Sequence, residues 1–319
     1  MGFSSPPAGS RRQSDERGRF VDASSSPGPE RELPEYYYPR RRKRLSILLF
    51  VATCLSTFWA GATDWMPYAF LDDWEDASNM ILAHWQQGLE YMLAVMAILL
   101  THEMGHFLQA HRYRVPATFP IFLPLPIMMT GTMGAVIAMD GSRANRKQLF
   151  DIGLTGPWAG LIVAIPMIWF GIKHAQPDQA IDFRLGTPWI FKLMSAWARP
   201  ELQQTVFKNP LFMAGWVGML ITGLNMLPVS QLDGGHVIYG LFGRRAKWVA
   251  RAFVIAAIVF IITQEQYNWV VMLVLVLLLG VDHPPAVDED IPIGPLRWVI
   301  GLASLLIPVF CFTPIITGG

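Results

Sequence analysis

The 319-residue sequence predicts an all-α, polytopic membrane protein with about seven transmembrane helices and a small re-entrant β-hairpin. Hydrophobic residues make up 52% of the chain and charged residues only 15%, which is too apolar for a soluble domain of this length. Apolar runs alternate with clusters of basic residues, and this alternation indicates repeated membrane crossings. The fold class follows from these observations together.

Residues 1–44 are predicted to be a disordered cytoplasmic tail, because Ser, Pro, Arg and acidic residues dominate and aliphatic side chains are almost absent. The tail ends in a basic run, 40–44, that directly precedes an apolar segment. Such a run is typical of a positive-inside anchor, so we expect no nucleic-acid partner. We therefore expect a multi-pass protein of a bacterial cell membrane with a cytoplasmic N-terminus. A plastid membrane is the alternative, although acidic residues in the tail argue against a transit peptide.

Residues 45–84 are predicted to hold the first transmembrane span, about 46–63, and an acidic loop on the non-cytoplasmic side. The second span, about 86–110, returns to the cytoplasmic face and carries the sequence HEMGH at 102–106. Ionisable groups at that depth are costly unless they are paired, hydrated or bound to a metal. The position of this motif therefore calls for a functional explanation.

The HEMGH motif predicts a zinc site. His102 and His106 lie on one face of a helix, about 6 Å apart along its axis, which suits two imidazole ligands of one Zn²⁺. Glu103 is rotated by about 100° from His102 and can reach a water instead of the metal. This arrangement indicates a hydrolytic centre of the metalloprotease type. The alternative is an amphipathic helix end with its His and Glu side chains at the lipid headgroups.

Residues 116–140 are predicted to form a re-entrant hairpin that covers this centre. Four prolines within 115–126 break helices and favour extended chain, and the Gly-containing run 131–137 then predicts a short strand. Irregular chain at membrane depth is tolerated only when it is buried or lines a wet cavity. A transmembrane substrate must unwind before hydrolysis, and this strand offers an edge to which it can add. The predicted substrate-binding residues are Gly131, Thr132, Met133 and Gly134.

The remaining spans are predicted at about 150–172, 210–228, 250–263, 268–281 and 296–315. Gly153, Gly156 and Gly160 in the third span are spaced for close contact between helices. The loop 173–209 contains a short apolar patch at 189–191 that is a candidate interfacial helix. The catalytic core is accordingly assigned to 85–240, and 241–319 to C-terminal transmembrane helices.

Asp233 is the best candidate for a third protein ligand, which zinc needs if a water is to take its fourth position. It follows the fourth span at the same depth and side of the membrane as HEMGH, and the two glycines after it let the chain turn close to a metal. A helix cap is the alternative, because Asp commonly caps helices. For Asn225, at the end of the same span, one interpretation is an interhelical hydrogen bond.

Together, these motifs resemble those of the site-2 protease family of intramembrane zinc metalloproteases. HEMGH at 102–106 and NMLPVSQLDGGH at 225–236 correspond to the family's two signature motifs, and GTMGA at 131–135 and DIGLTGPWAG at 151–160 are similar to further family segments. The likeness covers about 85–240 and is greatest to the branch shared by bacteria and plant plastids. It implies His102, His106 and Asp233 as zinc ligands, Glu103 as general base, and Asn225 as a group that holds the substrate or its oxyanion.

The resemblance implies an intramembrane endopeptidase that cuts a transmembrane segment of another membrane protein. The implied partners are that substrate and the lipid bilayer, and the sequence does not indicate an oligomeric state. Two alternatives are a different polytopic HExxH peptidase with a downstream Glu ligand, and a non-catalytic metal-binding scaffold or transporter. The later acids Glu201, Glu265 and Glu289 lie in no suitable predicted helix, and the sequence lacks the internal repeats typical of transporters.

Overall fold

The structure is a computed structural model that describes residues 13–14, 20–21, 40–68, 74–176, 180–181, 188–202, 206–207, 209–229, 231–278, 280–281, 283–284, 286–288 and 291–312. Residues Met1–Tyr37 form one unit, in which the described part is an antiparallel pair of short strands, Gln13–Ser14 and Phe20–Val21. Residues Tyr38–Gly319 form the second unit. Most of the tail predicted over 1–44 lies outside the described residues, and its basic end belongs to the first helix.

The second unit is mainly helical. Its described helices are α1 (Arg40–Ala62), α2 (Trp74–Arg112), α3 (Arg146–Lys173), α4 (Trp189–Ala198), α5 (Pro210–Asn225), α6 (Asp233–Phe242), α7 (Ala246–Thr263), α8 (Val270–Leu278), α9 (Pro295–Ser304) and α10 (Ile307–Cys311). Between α2 and α3, β1 (Ile121–Pro124) and β2 (Thr132–Val136) form an antiparallel hairpin. A further pair of two-residue strands, Ala180–Ile181 and Val206–Phe207, flanks α4.

Four helical stretches of the described chain are long and apolar enough to cross a membrane: Lys43–Ala62, Ala77–Arg112, Arg146–Lys173 and Asp233–Thr263, the last of which joins α6 and α7. Helix α5 and the α9–α10 segment are apolar but shorter. The nine residues of α8 rise only about 14 Å, against a hydrocarbon core of about 30 Å. The helical membrane architecture is confirmed, whereas the predicted number of seven crossings is not.

Helix α2 bends at His84, where φ is −118° and ψ is 19°. The apolar part after the bend corresponds to the predicted second span. His102 lies ten residues before the last residue of α2, Arg112, which is a distance of about 15 Å along the helix axis. The motif is therefore several turns inside the membrane-crossing stretch. The apolar core lies where this part of α2 meets α3 and α5, with Ile98, Ile168 and Met213 almost completely buried.

Helix α3 begins at a capping box in which the Asn145 side chain accepts from the Gln148 N–H at 2.9 Å and the Gln148 side chain accepts from the Asn145 N–H at 3.0 Å. In its first turn, the Arg146 guanidinium donates to the Gly240 carbonyl at 2.6 Å and to the Leu241 carbonyl. A cation at these carbonyls satisfies the C-terminal end of α6. Helices α3 and α6 are therefore held together at this end.

The predicted hairpin is present, its re-entrant placement in the membrane stays a prediction, and two side chains hold its tip. The Ser56 hydroxyl of α1 donates to the Gly131 carbonyl at 2.5 Å, and the Tyr91 hydroxyl of α2 donates to the Thr130 carbonyl at 3.0 Å. Gly131 has a φ of 70°, and a Cβ there would lie 2.6 Å from the Thr57 Cα. Only glycine fits this position without strain, so the hairpin tip packs directly against the backbone of α1.

Candidate metal centre

Three side chains from two helices converge on one point. The Nε2 atoms of His102 and His106 on α2 are 3.2 Å apart. The Oδ2 atom of Asp233, at the start of α6, lies 3.3 Å from the first and 3.2 Å from the second. Ligand atoms about 2.0–2.1 Å from one metal ion, at tetrahedral angles, are about 3.3 Å apart. This triangle therefore fits three ligands of a tetrahedral metal ion, as the sequence predicted.

The surroundings of Asp233 also favour a cation. Its Oδ2 atom is buried and accepts no hydrogen bond from the described residues. A buried carboxylate oxygen without a donor or a cation is costly. The N-cap position of α6 is Leu232, and no side-chain cap bond forms there, so the helix-cap alternative for Asp233 has no support in this geometry. A Cβ on Gly234 would collide with the carbonyl oxygen of Met226, which explains why glycine follows the aspartate.

The two imidazoles pack against the glycine face of α3. The Nδ1 atom of His106 is 2.7 Å from the Ile152 carbonyl oxygen, and a carbonyl can only accept, so Nδ1 carries the hydrogen and leaves the Nε2 lone pair for a metal. A Cβ on Gly156 would overlap the His106 ring, and a Cβ on Gly160 would lie 3.1 Å from Nδ1 of His102. The glycines that were predicted to allow close helix contact therefore leave room on α3 for the rings of His102 and His106.

An ion pair fixes the chain next to the Ile152 carbonyl. Arg297 of α9 donates from Nε to Oδ1 of Asp151 at 2.7 Å and from Nη2 to Oδ2 at 2.9 Å, and the Tyr113 hydroxyl donates to the same carboxylate. Burial and the neighbouring Asp151 carboxylate raise the pKa of Tyr113, which keeps its hydroxyl protonated as a donor. The bidentate pair restricts the turn of α3 that orients His106.

Glu103 and Asn225 complete the site. Glu103 is 3% exposed and lines a cavity of about 140 Å³ that also reaches His106, Asn225 and Asp233. The Nδ2 atom of Asn225 lies 3.3 Å from Nε2 of His102. Four of the five residues predicted for catalysis and metal binding therefore line one cavity, and the fifth, His102, contacts three of these four. Such a site can hold a metal, a water and a polarised carbonyl group, with a carboxylate close by for proton transfer.

The hairpin forms another wall of the cavity, through Ala135, Val136 and Ile137. The predicted substrate-binding residues 131–134 precede these on the same hairpin and do not line the cavity. Gly134, at a φ of 105°, faces Ile221 of α5 instead. Substrate binding by residues 131–134 stays a prediction, and the cavity wall is the direct continuation of that strand.

Several groups around the site were not predicted from the sequence. Ile152 acts through its backbone carbonyl, which every residue carries, so no residue type could have indicated it. Asp151 and Arg297 are charges beside apolar runs, and the high cost of such charges was a signal that they pair. His283 contacts His236 across 47 residues of sequence, and no motif signals this contact.

Comparisons with known proteins agree with this geometry. The model of "Peptidase family M50" matches residues 90–264. "Probable zinc metalloprotease EGY1, chloroplastic" from Oryza sativa subsp. japonica is 31% identical over 63% of this chain and 38% of its own length. The Arabidopsis thaliana protein of the same name is 36% identical over 50% of this chain and 30% of its own length. "Probable zinc metalloprotease EGY2, chloroplastic" from Arabidopsis thaliana is 26% identical over 72% and 43% respectively.

The chain thus spans less than half the length of these three relatives. No solved structure matches it. The family match covers more than half of the 319 residues and includes both α2 and the start of α6, which supply the three converging side chains. The resemblance to the site-2 protease family is therefore confirmed, and the chain belongs to peptidase family M50.

Proposed function

We propose that this chain is an intramembrane zinc metalloendopeptidase that hydrolyses a peptide bond within a transmembrane segment of another membrane protein. The observation that carries the proposal is the convergence of His102, His106 and Asp233 beside the buried Glu103, within membrane-crossing helices. A scaffold that only binds metal has no need of a buried carboxylate beside its ligands. The names of the relatives, which are zinc metalloproteases, also support zinc as the metal.

The chemistry follows from the positions of the side chains. A zinc ion held by the two histidines and Asp233 would supply a Lewis acid that activates water and polarises the scissile carbonyl. Glu103 accepts a proton from the attacking water and returns it to the leaving amine. The Asn225 amide, next to His102, donates a hydrogen bond to the carbonyl oxygen as negative charge develops there. The ring of His106 is oriented for its task by the Ile152 carbonyl.

The substrate must present an extended backbone, because a transmembrane helix hides its carbonyl groups in internal hydrogen bonds. The cavity lies between the metal ligands and the hairpin residues 135–137. Among the described strands, β2 pairs only with β1, so its other edge has no strand partner there. We propose that an unwound substrate segment lies along β2, so that its scissile carbonyl lies next to the metal position between His102, His106 and Asp233.

The location of the protein in a membrane follows from its helices, and its compartment is part of the proposal. The predicted placement in a bacterial cell membrane has no support among the comparisons, since the relatives are named chloroplastic. We therefore favour a plastid-type membrane. The cytoplasmic orientation of the N-terminus stays a prediction based on the basic run that begins α1.

The full chain, purified and reconstituted in phospholipid nanodiscs, provides the test. We expect stoichiometric zinc by elemental analysis. We also expect cleavage of a designed single-span substrate whose membrane segment contains a helix-breaking Asn-Pro pair, with the cut mapped by mass spectrometry inside that segment. Removal of zinc by 1,10-phenanthroline should abolish cleavage, and added zinc should restore it. Chain that holds no zinc, or cuts only outside the membrane segment, contradicts the proposal.

A cavity-filling substitution tests the place of the substrate. Ala135 is 7% exposed and lines the cavity, so the larger side chain of Ala135→Leu occupies space that the substrate needs. We expect cleavage to fall by about tenfold, because about 1–3 kcal/mol is a typical effect of overpacking, while zinc content stays unchanged. Ala252→Leu is the matched control, since it makes the same change at an exposed alanine of α7 that does not line the cavity. Equal activity of both variants would remove β2 from the substrate path.

A further inference from the structure

A second pair of histidines links the metal centre to the chain after α8. The Nδ1 atom of His236, in the first turn of α6, is 2.7 Å from Nε2 of His283. His236 also lines the cavity that contains Glu103 and Asp233, and its Cβ would lie 2.6 Å from a Cβ placed on Gly153. His236 is therefore packed between α3 and the cavity, with one ring nitrogen turned toward His283.

The contact between His283 and Pro284 determines which atoms of the histidine pair donate and which accept. The Nδ1 atom of His283 is 2.5 Å from the Pro284 carbonyl oxygen, which can only accept, so Nδ1 of His283 carries a hydrogen. Burial lowers the pKa of His283, which keeps its ring neutral near pH 7. A neutral imidazole has one N–H, so Nε2 of His283 is an acceptor and Nδ1 of His236 must donate to it. The Nε2 atom of His236 then has a free lone pair.

The His283 ring is clamped in place. It stacks on Tyr239, with ring centroids 4.3 Å apart and planes at 17°. The Tyr239 hydroxyl accepts from the Ala286 N–H at 2.9 Å, which ties the same loop to α6. Tyr239 is one helical turn after His236, so α6 holds His236 directly and holds His283 through Tyr239. A ring held at two points keeps its hydrogen-bonding direction.

The free lone pair of His236 has a use in the cavity. Among the described residues, Nε2 of His236 has no hydrogen-bond partner. An unwound substrate segment brings backbone N–H groups into the cavity, and each is costly if it stays unpaired in an apolar site. The carboxylates of Glu103 and Asp233 are engaged in proton transfer and metal binding in the proposed function, whereas His236 offers a neutral acceptor that lines the same cavity.

We propose that His283 is a positioning residue that holds His236 in its Nδ1–H tautomer, so that Nε2 of His236 accepts a hydrogen bond from a backbone N–H of the substrate beside the scissile bond. This inference rests on the proposed function and adds a residue that selects an extended peptide. The histidine pair makes and breaks no covalent bond in this role.

The tautomer can be measured directly on the full chain in nanodiscs. With ¹⁵N-labelled histidine, we expect the His236 signals of the wild type to show a protonated Nδ1 and an unprotonated Nε2. In His283→Ala the acceptor is lost, and the His236 tautomers should become mixed. His283→Gln places a carbonyl oxygen near the former Nε2 position and should restore the wild-type pattern. His174→Ala, at an exposed histidine whose ring nitrogen bonds a carbonyl of its own helix, is the control and should change nothing.

The kinetic readout separates positioning from loss of structure. We expect His283→Ala to raise the KM of the designed single-span substrate by about tenfold, the effect of one lost hydrogen bond, with kcat and zinc content nearly unchanged. His283→Gln should recover most of this loss. A wild-type His236 protonated at Nε2, or a Gln variant no better than the Ala variant, overturns the inference. The ring-nitrogen measurement needs no turnover, so a wild type that fails to cleave counts against the proposed function and leaves this test decisive.

Discussion

Glu103→Gln is expected to reduce peptide hydrolysis by about 10³-fold or more, within the range that general acid–base catalysis contributes, while the protein keeps its zinc. Glutamine has nearly the same shape as glutamate and fills the same buried position, which is 3% exposed. It cannot accept a proton from water. The three candidate metal ligands are His102, His106 and Asp233, so the substitution at Glu103 leaves all of them unchanged. Cleavage of the designed substrate and elemental analysis of the same samples measure both effects.

A matched control for Glu103→Gln lies on the same helix. Glu90 is exposed and lies 13 residues earlier on α2, so Glu90→Gln removes an equal charge away from the cavity and should cleave like the wild type. Two results would contradict the assignment. If Glu103→Gln loses zinc, then Glu103 belongs to the metal ligands. If it retains turnover, another group accepts the proton, and the carboxylate is only structural.

The convergence of the three candidate ligands could be predicted from sequence because two different constraints agree. The spacing of His102 and His106 fixes a shared helix face by the geometry of the helix alone. Asp233 is 127 residues after His106, and its convergence on that face depended on a topological argument about depth and side of the membrane. The distances of 3.2 and 3.3 Å to the two rings agree with that argument. A local motif and a membrane constraint together located a non-local site.

The support around the ligands could not be predicted in the same way. The carbonyl of Ile152 orients His106, but a backbone carbonyl carries no residue identity and depends on how α2 and α3 pack. The glycines of α3 were predicted to allow close packing, yet only the structure identifies the His106 ring as the group that fills the space at Gly156. His283 contacts His236 from 47 residues away, and no periodic pattern signals such a contact.

The number of membrane crossings could not be predicted from the sequence pattern either. Apolar runs near the C-terminus were predicted to be complete spans, because hydropathy alone reports composition and not the ends of a helix. In the structure the last run is divided into α9 and α10, with Pro308 in the first turn of α10. Proline lacks the N–H that a continuous helix would use there. Because a helix can break inside an apolar run, hydropathy alone does not give the number of membrane spans.

Asp233→Asn is expected to remove zinc from the protein and to abolish cleavage. The asparagine amide has nearly the same shape but no charge, and amides are not among the usual ligands of zinc in proteins. If the apparent binding energy of a structural site, about 10–16 kcal/mol, is shared evenly by four ligands, the loss of one weakens zinc binding by about 10²–10³-fold. Elemental analysis after dialysis against a weak chelator measures this loss. Asp140→Asn, at a half-exposed aspartate paired with Arg143, is the control that should keep its zinc.

The same substitution should invert the order of thermal stability. With zinc present at about 1,000 times its dissociation constant, the metal stabilises the wild type by about 4 kcal/mol, and the variant lacks this gain. Without zinc, the wild type retains a buried carboxylate oxygen that accepts no hydrogen bond from the described residues. The amide that Asp233→Asn introduces carries no charge there, so the metal-free variant should melt at the same temperature as the metal-free wild type or higher. A chelator that leaves the wild-type melting temperature unchanged would contradict this, because removal of a bound metal should remove the stabilisation that its binding supplies.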